Sequence, residues 1–261
     1  MNFKYFGLVV VPIIILALTG ITIMVMTSSY IWLLLAFVFW ILMSGLGIAV
    51  GFHRIYSHRC YELKPWLDAI ILFCGTLACQ SSSITWVATH IGYHHPFSDT
   101  DKDPHTPLKG KWYSFIGWTF FVNEGINHKY AVKLIRKPLH VYFHKHYFKL
   151  LWAFIIVLGL ISWKALLFGY SIAALISMLQ DHSVNVFGHL PALGYRNFET
   201  NDRSTNFIPL GYLGWGQGWH NNHHQYPSRF DFGVKWWEWD ACKIFKPLLN
   251  LGSKKKDKYT S

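Results

Sequence analysis

Residues 31–50, IWLLLAFVFWILMSGLGIAV, carry no charged side chain, and the chain runs from them directly into Gly51-Phe52-His53-Arg54-Ile55-Tyr56-Ser57-His58. A helix rising 1.5 Å per residue needs about 20 such residues to cross a hydrocarbon core roughly 30 Å thick. This segment therefore reads as a membrane span whose exit delivers histidines to the membrane surface. Residues 6–26 are equally free of charge. Two long apolar runs so close together read as a retained hairpin over residues 6–50, not as a cleaved leader. Their Gly and Thr residues are tolerated because a helix in lipid satisfies its own backbone.

Working outward, residues 150–179 carry only Lys164. That run is too long for one comfortable span, and a split near Ser162–Lys164 predicts a second hairpin over residues 150–182. Residues 66–89 are apolar too, but they follow Pro65 and contain Asp68, Gln80 and three serines, so they read as a buried, non-spanning helix. Of the 24 Lys and Arg, 12 lie between Gly51 and Lys149, ten follow Val184, and only Lys4 and Lys164 remain. The positive-inside rule then puts residues 51–149, residues 183–261 and both termini on the cytoplasmic face, with an even number of crossings between the polar segments. The expectation is an all-α integral membrane protein forming a single domain over residues 1–261. Four transmembrane helices as two hairpins would carry a cytoplasmic helical cap, in a bacterial inner membrane or the endoplasmic reticulum. Topology accounts for the net charge of +11, which removes the case for nucleic acid. The basic tail around Lys254-Lys255-Lys256 reads as a contact for anionic headgroups. Cys60, Cys74, Cys79 and Cys242 form no ligand or disulfide pattern and read as buried small hydrophobes in a reducing compartment.

Fifteen histidines are unusual, and they cluster. His53 and His58 lie five apart, off one face of an α-helix, so they converge if the helix ends between them. In His90-Ile91-Gly92-Tyr93-His94-His95, positions i and i+4 share a face and i+5 lies at its edge. In His220-Asn221-Asn222-His223-His224, positions i, i+3 and i+4 form one compact face. A lone histidine on such a helix reads as a satisfied core residue; three clusters, two of them with adjacent pairs, read as a site. Imidazole suits iron, copper, zinc and nickel, and eight such ligands are enough for two metals. Neither His-Glu-x-x-His nor a Glu-x-x-His pair occurs, so nitrogen must do most of the holding.

These boxes, with Phe97-Ser98-Asp99-Thr100 after the second and Pro227-Ser228-Arg229-Phe230-Asp231-Phe232-Gly233 after the third, resemble the membrane fatty acyl desaturases, especially the delta-9, stearoyl-type branch. Asn185-Val186-Phe187-Gly188-His189 is similar to the family's Asn-x-x-x-His element. The resemblance implies two iron ions held by His53, His58, His90, His94, His95, His189, His220, His223 and His224, with Asn185 acting through water. It also implies that Gln80 and Trp86 shape the bend of a substrate tunnel. Two departures stand out. Three residues separate His90 from His94 where stearoyl-type enzymes usually have two, and Asp181-His182 stands where they place Thr and Trp. His105 falls in a loop the family does not use for metal, and His128, His140, His144 and His146 read as interfacial residues among headgroups.

The activity so implied is an O2-dependent insertion of a cis double bond, delta-9 by the branch resembled, into a long-chain acyl-CoA or acyl-lipid. An unactivated methylene has no acidic proton and no leaving group, so activated oxygen is the only chemistry that reaches it. Trp86, Trp215, Trp219 and Tyr226 flank the boxes and are expected to wall the tunnel. No flavin, nicotinamide, haem or iron–sulfur fingerprint occurs, so two electrons must come from an external donor of cytochrome b5, ferredoxin or rubredoxin type. A di-iron lipid or alkane hydroxylase is the nearest alternative, although those alkane enzymes carry Glu in their first boxes. A His-rich metal transporter, the non-enzyme alternative, would need ionisable residues within the spans, which here have almost none.

Overall fold

A computed structural model describes residues 5–120 and 126–255. Residues 1–4, 121–125 and 256–261 lie outside it, so the N-terminal end and the tip of the basic tail do too, as do the side chains of Lys254 and Lys255. Two helices are long and apolar enough to cross a membrane: α1, Phe6–Met26, and α2, Tyr30–Ser57. A three-residue turn, Thr27–Ser29, joins them, with Ser28 at φ 50°. Helix α2 does not stop at residue 50. Its last part, Ile41–Ser57, is wound with i→i+5 hydrogen bonds, and His58 caps it.

Helix α3, Pro65–Leu77, starts at a proline that needs no hydrogen-bond partner there. Its 13 residues give a length of about 20 Å, short of a span, in keeping with a non-spanning helix. The chain then breaks: Cys79 and Ser81 take φ of 61° and 75°, and Ser82 Oγ accepts from Thr85 N to start the next helix, α4, over residues 83–97. Helices α2 and α3 cross in near-backbone contact. A Cβ on Gly47 would lie 2.4 Å from Gly75 N, and one on Gly75 would lie 2.2 Å from Phe52 Cε1. Small residues here set how closely α2, which carries the first box, approaches α3, which leads into α4 and the second box.

Further along the chain, α5, Pro138–Lys145, meets α6, Tyr147–Ile161, at a 72° bend, and the two together are apolar enough to form one further span. Ser162 adopts extended backbone (φ −158°, ψ 104°) and ends α6 where the sequence predicts the split. Helix α7, residues 163–187, then runs as Ala165–Ser171 and Ile172–Phe187 and packs against α1 and α2. After an irregular stretch the short helix α8, His220–Gln225, carries the third box. Strands β1 (Glu62–Leu63) and β2 (Ser253–Lys255) pair antiparallel and clasp the C-terminal segment to the base of α3. All four cysteines are buried, and no disulfide joins them.

His140 corrects one expectation. It is fully buried, between Ser83 Oγ at 3.0 Å and Asp68 Oδ1 at 3.3 Å, and not among headgroups. His144 is likewise tied to Ser82 Oγ at 2.6 Å. Together they pin α5 onto the start of α4.

Candidate metal centre

The nine histidines singled out from the sequence fall into two groups. His53, His58, His90, His95 and His223 form one, and His94, His189, His220 and His224 the other, with ligand atoms within 4.8 Å of one another in each. Helix winding explains how the boxes achieve this. His58 N donates to His53 O at 3.2 Å and His95 N donates to His90 O, so in both places residues five apart stand one turn above each other. The pair His53/His58 thus converges by a wider helical turn, with ring centres 5.1 Å apart, and not by the helix ending between them. The same turn absorbs the extra residue in the second box: His90 and His95 bring Nε2 atoms to 3.0 Å. In α8 ordinary α winding suffices, and His220 and His224 rings lie 4.4 Å apart. The asparagines between them face away. Asn221 Oδ1 accepts from Asn197 N and Phe198 N, and Asn222 Nδ2 donates to Phe232 O and Glu238 Oε2, which locks the histidine face inward.

Outer partners decide which ring nitrogen keeps its lone pair. His94 Nδ1 meets Asp103 at 2.9 Å, His189 Nδ1 meets Asp99 at 3.0 Å and His224 Nδ1 meets Asp202 at 2.5 Å, while His53 Nδ1 meets the Gln217 carbonyl oxygen at 3.2 Å. Carboxylates and an amide oxygen only accept, so the proton sits on Nδ1 and Nε2 turns a lone pair inward. His224 Nε2 is buried without a hydrogen-bond partner. In the larger group, Nε2 contacts run from His53 to His223 (2.9 Å), His223 to His95 (3.1 Å), His95 to His90 (3.0 Å) and His90 to His58 (2.9 Å). Each Nε2 carries one proton or one lone pair, so hydrogen bonds cannot satisfy every contact in this chain.

Protonation does not relieve the crowding. Burial, then the neighbouring His224, pushes His58 down to about 3, and burial and mutual repulsion hold His90, His95, His220 and His223 well below the usual imidazole range. His94 goes the other way: burial would lower it, but Asp103 outweighs burial and raises it. Burial works to raise Asp202, yet His224 holds it well below the carboxylate range. Neutral, converging lone pairs backed by acceptors are the donor set of a metal centre, and two groups fit two ions.

The supporting residues were missed in the sequence. A signal existed: the chain has only 13 acids, and Asp99, Asp101 and Asp103 crowd just after the second box. His105 also lies closer than expected, its ring 4.7 Å from His94 and its Nδ1 3.1 Å from Asp103.

Beside the two groups lies a partly open cavity of about 100 Å³. Gln80, Trp86 and Asn185 line it, as does the unforeseen Trp118. Trp86 packs 4.9 Å from the His90 ring and 5.7 Å from that of His53. Three aromatics expected in the wall are elsewhere. Trp219 is buried against Tyr212 and Trp237, Trp215 packs on Trp40, and Tyr226 is exposed beside Phe198, because the locked asparagine face of α8 turns its flanks away from the cavity.

Residues 27–250 match the family model "Fatty acid desaturase". The chain is 35% identical over 216 residues to the sn-1 stearoyl-lipid 9-desaturase of Anabaena variabilis, covering 82% of this chain and 78% of that protein. It is 34% identical over 230 residues to the sn-2 palmitoyl-lipid 9-desaturase of Nostoc sp., covering 85% and 80%. It is 32% identical over 219 residues to Delta-9 acyl-lipid desaturase 1 of Arabidopsis thaliana, covering 79% and 68%. With the histidine groups and the adjoining cavity, these likenesses place the chain in the fatty acid desaturase family.

Proposed function

We propose that this membrane oxidoreductase is a delta-9 acyl-lipid desaturase with two irons, one in each histidine group. Convergence of nine imidazoles into two groups beside one cavity carries this reading. Asn185, lining the cavity one turn before His189, would complete the shell through water. When bound, the two irons supply O2 activation toward an unactivated C–H bond. Balanced, the reaction removes one hydrogen from each of two adjacent carbons; with O2, two external electrons and two protons it yields a cis alkene and two waters.

The chain's own residues supply shape and exclusion. Trp86 stands against the rings of His53 and His90, so an acyl chain passing it would have a few consecutive carbons facing the histidines. Burying roughly sixteen methylenes at about 0.8 kcal/mol each exceeds what binding needs, and the excess can offset the strain of a bent chain. Relatives named for lipid-linked acyl groups favour an acyl-lipid over acyl-CoA. Helices α1, α2, α6 and α7 would be the four spans, as two hairpins of a single domain, with the histidine boxes and both termini on the cytoplasmic side. Excess Lys and Arg on that side suits an acidic donor such as cytochrome b5, a ferredoxin or a rubredoxin.

Expression in a desaturase-deficient host, under 18O2, with double-bond mapping by mass spectrometry tests this. An unlabelled C9 alkene in membrane lipid is expected. A labelled hydroxyl group would favour the hydroxylase, and iron-loaded protein without either product would refute the reading.

A further inference from the structure

We propose that Asp181 is a positioning residue that ties the α3–α4 break beside the cavity to the coordination of the five-histidine group; this rests on the metal-binding reading above. Asp181 sits on α7 and receives two amide donors, one on each oxygen. Gln80 Nε2 donates to Oδ2, and Gln217 Nε2 donates to Oδ1 at 2.5 Å. Gln80 belongs to the strained break between α3 and α4, whereas Gln217 lies three residues before His220. Both glutamines are buried, and both line the cavity with Asp181 and His53.

The consequence concerns the direction of one amide. A side-chain amide has a donating end and an accepting end, and the two can exchange by rotation. Both Asp181 oxygens accept an amide N–H, so Gln217 presents its NH2 to Asp181 and its oxygen to His53 Nδ1, 3.2 Å away. That fixes the proton of His53 on Nδ1 and leaves the Nε2 lone pair facing His223, among the ligands. With the amide reversed, Nδ1 would have to accept, the proton would move to Nε2, and His53 could no longer bind a metal. The four-histidine group needs no such relay, because His94, His189 and His224 each meet an aspartate directly. Asp181 thus selects the tautomer of a ligand it does not touch, and through Gln80 the same side chain holds the α3–α4 break.

Asp181→Asn is nearly isosteric but can donate to Gln217 and so permits the reversed amide. Adding Gln217→Glu removes the ambiguity, since a carboxylate at 217 accepts from His53 in either orientation and takes an N–H from the amide at 181. The test loads each full-length protein with Fe(II) in detergent and follows iron per chain by plasma mass spectrometry during a chelator challenge. Asp181→Asn should lose one of two irons roughly 10-fold faster than the unaltered protein. The Asp181→Asn/Gln217→Glu pair should recover most of that retention. Gln217→Leu, which leaves Asp181 in place, should reproduce the loss and serves where Asp181→Asn gives no folded protein by gel filtration. Unchanged iron release in Asp181→Asn overturns the proposal. So does a loss that the paired substitution does not repair, because packing alone would then explain it. Iron release is read without substrate, so a chain that holds two irons yet forms no alkene refutes the proposed function and not this link.

Discussion

Arg54, adjacent to His53, is fully buried, and Asp240→Ala would strip it of its one carboxylate partner among the described residues. In the intact fold Arg54 Nη2 meets Asp240 Oδ2 at 2.8 Å. Nε donates to Phe230 O, Nη1 to Ala49 O and Nη2 also to Trp215 O, and the guanidinium lies 3.8 Å from the centre of the Phe232 ring. Asp240 in turn accepts from Phe232 N and Cys242 N, both at 2.9 Å. Removing it leaves a charge with no counterion where neither side chain is accessible to water, a loss of about 3–5 kcal/mol. At roughly 2–4 °C per kcal/mol for a chain near this size, the unfolding midpoint should fall by roughly 6–20 °C. Tryptophan fluorescence during heating in detergent would follow it. Asp240→Asn keeps one accepting oxygen and should cost less. The pair Arg54→Met/Asp240→Leu should recover more than half of the loss, because a buried ion pair is worth little more than a packed apolar one. A midpoint shift below about 3 °C for Asp240→Ala, or a pair as unstable as that single variant, would refute the reasoning.

Other predictions follow from the same geometry. Gly47→Val places atoms into the backbone of Gly75, 2.4 Å from where its Cβ would fall, and should lower stability by at least about 1–3 kcal/mol, measured by the same heating curve. Asp202→Asn releases the His224 proton from Nδ1 and should weaken metal retention roughly 10–100-fold, read by chelator competition. Burial works to raise the Asp68 carboxyl, but His140 and Lys137 outweigh it and bring it down to about 2. Because that value lies below the unfolded one of about 3.9, its stabilisation is complete above that pH and is lost as pH falls through about 2. Midpoints measured from pH 5 to pH 2 should fall more steeply in the unaltered protein than in Asp68→Asn.

Much of the fold was legible because charge and hydropathy act over whole segments: α1, α2 and the break at Ser162 follow from apolar runs and their ends. Box membership was legible because histidines so clustered have few other uses. What escaped was local winding. A fixed 100° per residue put His58 off the face of His53 and left His95 at the edge of its own, whereas i→i+5 turns put them in line. The carboxylates behind the ligands also escaped, since Asp202 and His224 are joined by a fold-back of 22 residues that no spacing rule foresees. The tunnel wall was read from proximity to the boxes, and proximity in sequence misled for Trp215, Trp219 and Tyr226 because α8 is clamped by its asparagines.

The most direct test of the central claim is the iron content of anaerobically loaded, gel-filtered protein, determined with His53→Ala and His189→Ala beside it. Two irons per chain are predicted for the unaltered protein and one for each variant, since each substitution opens a different histidine group. One iron in the unaltered chain, or loss of both from either variant, would contradict two separate sites.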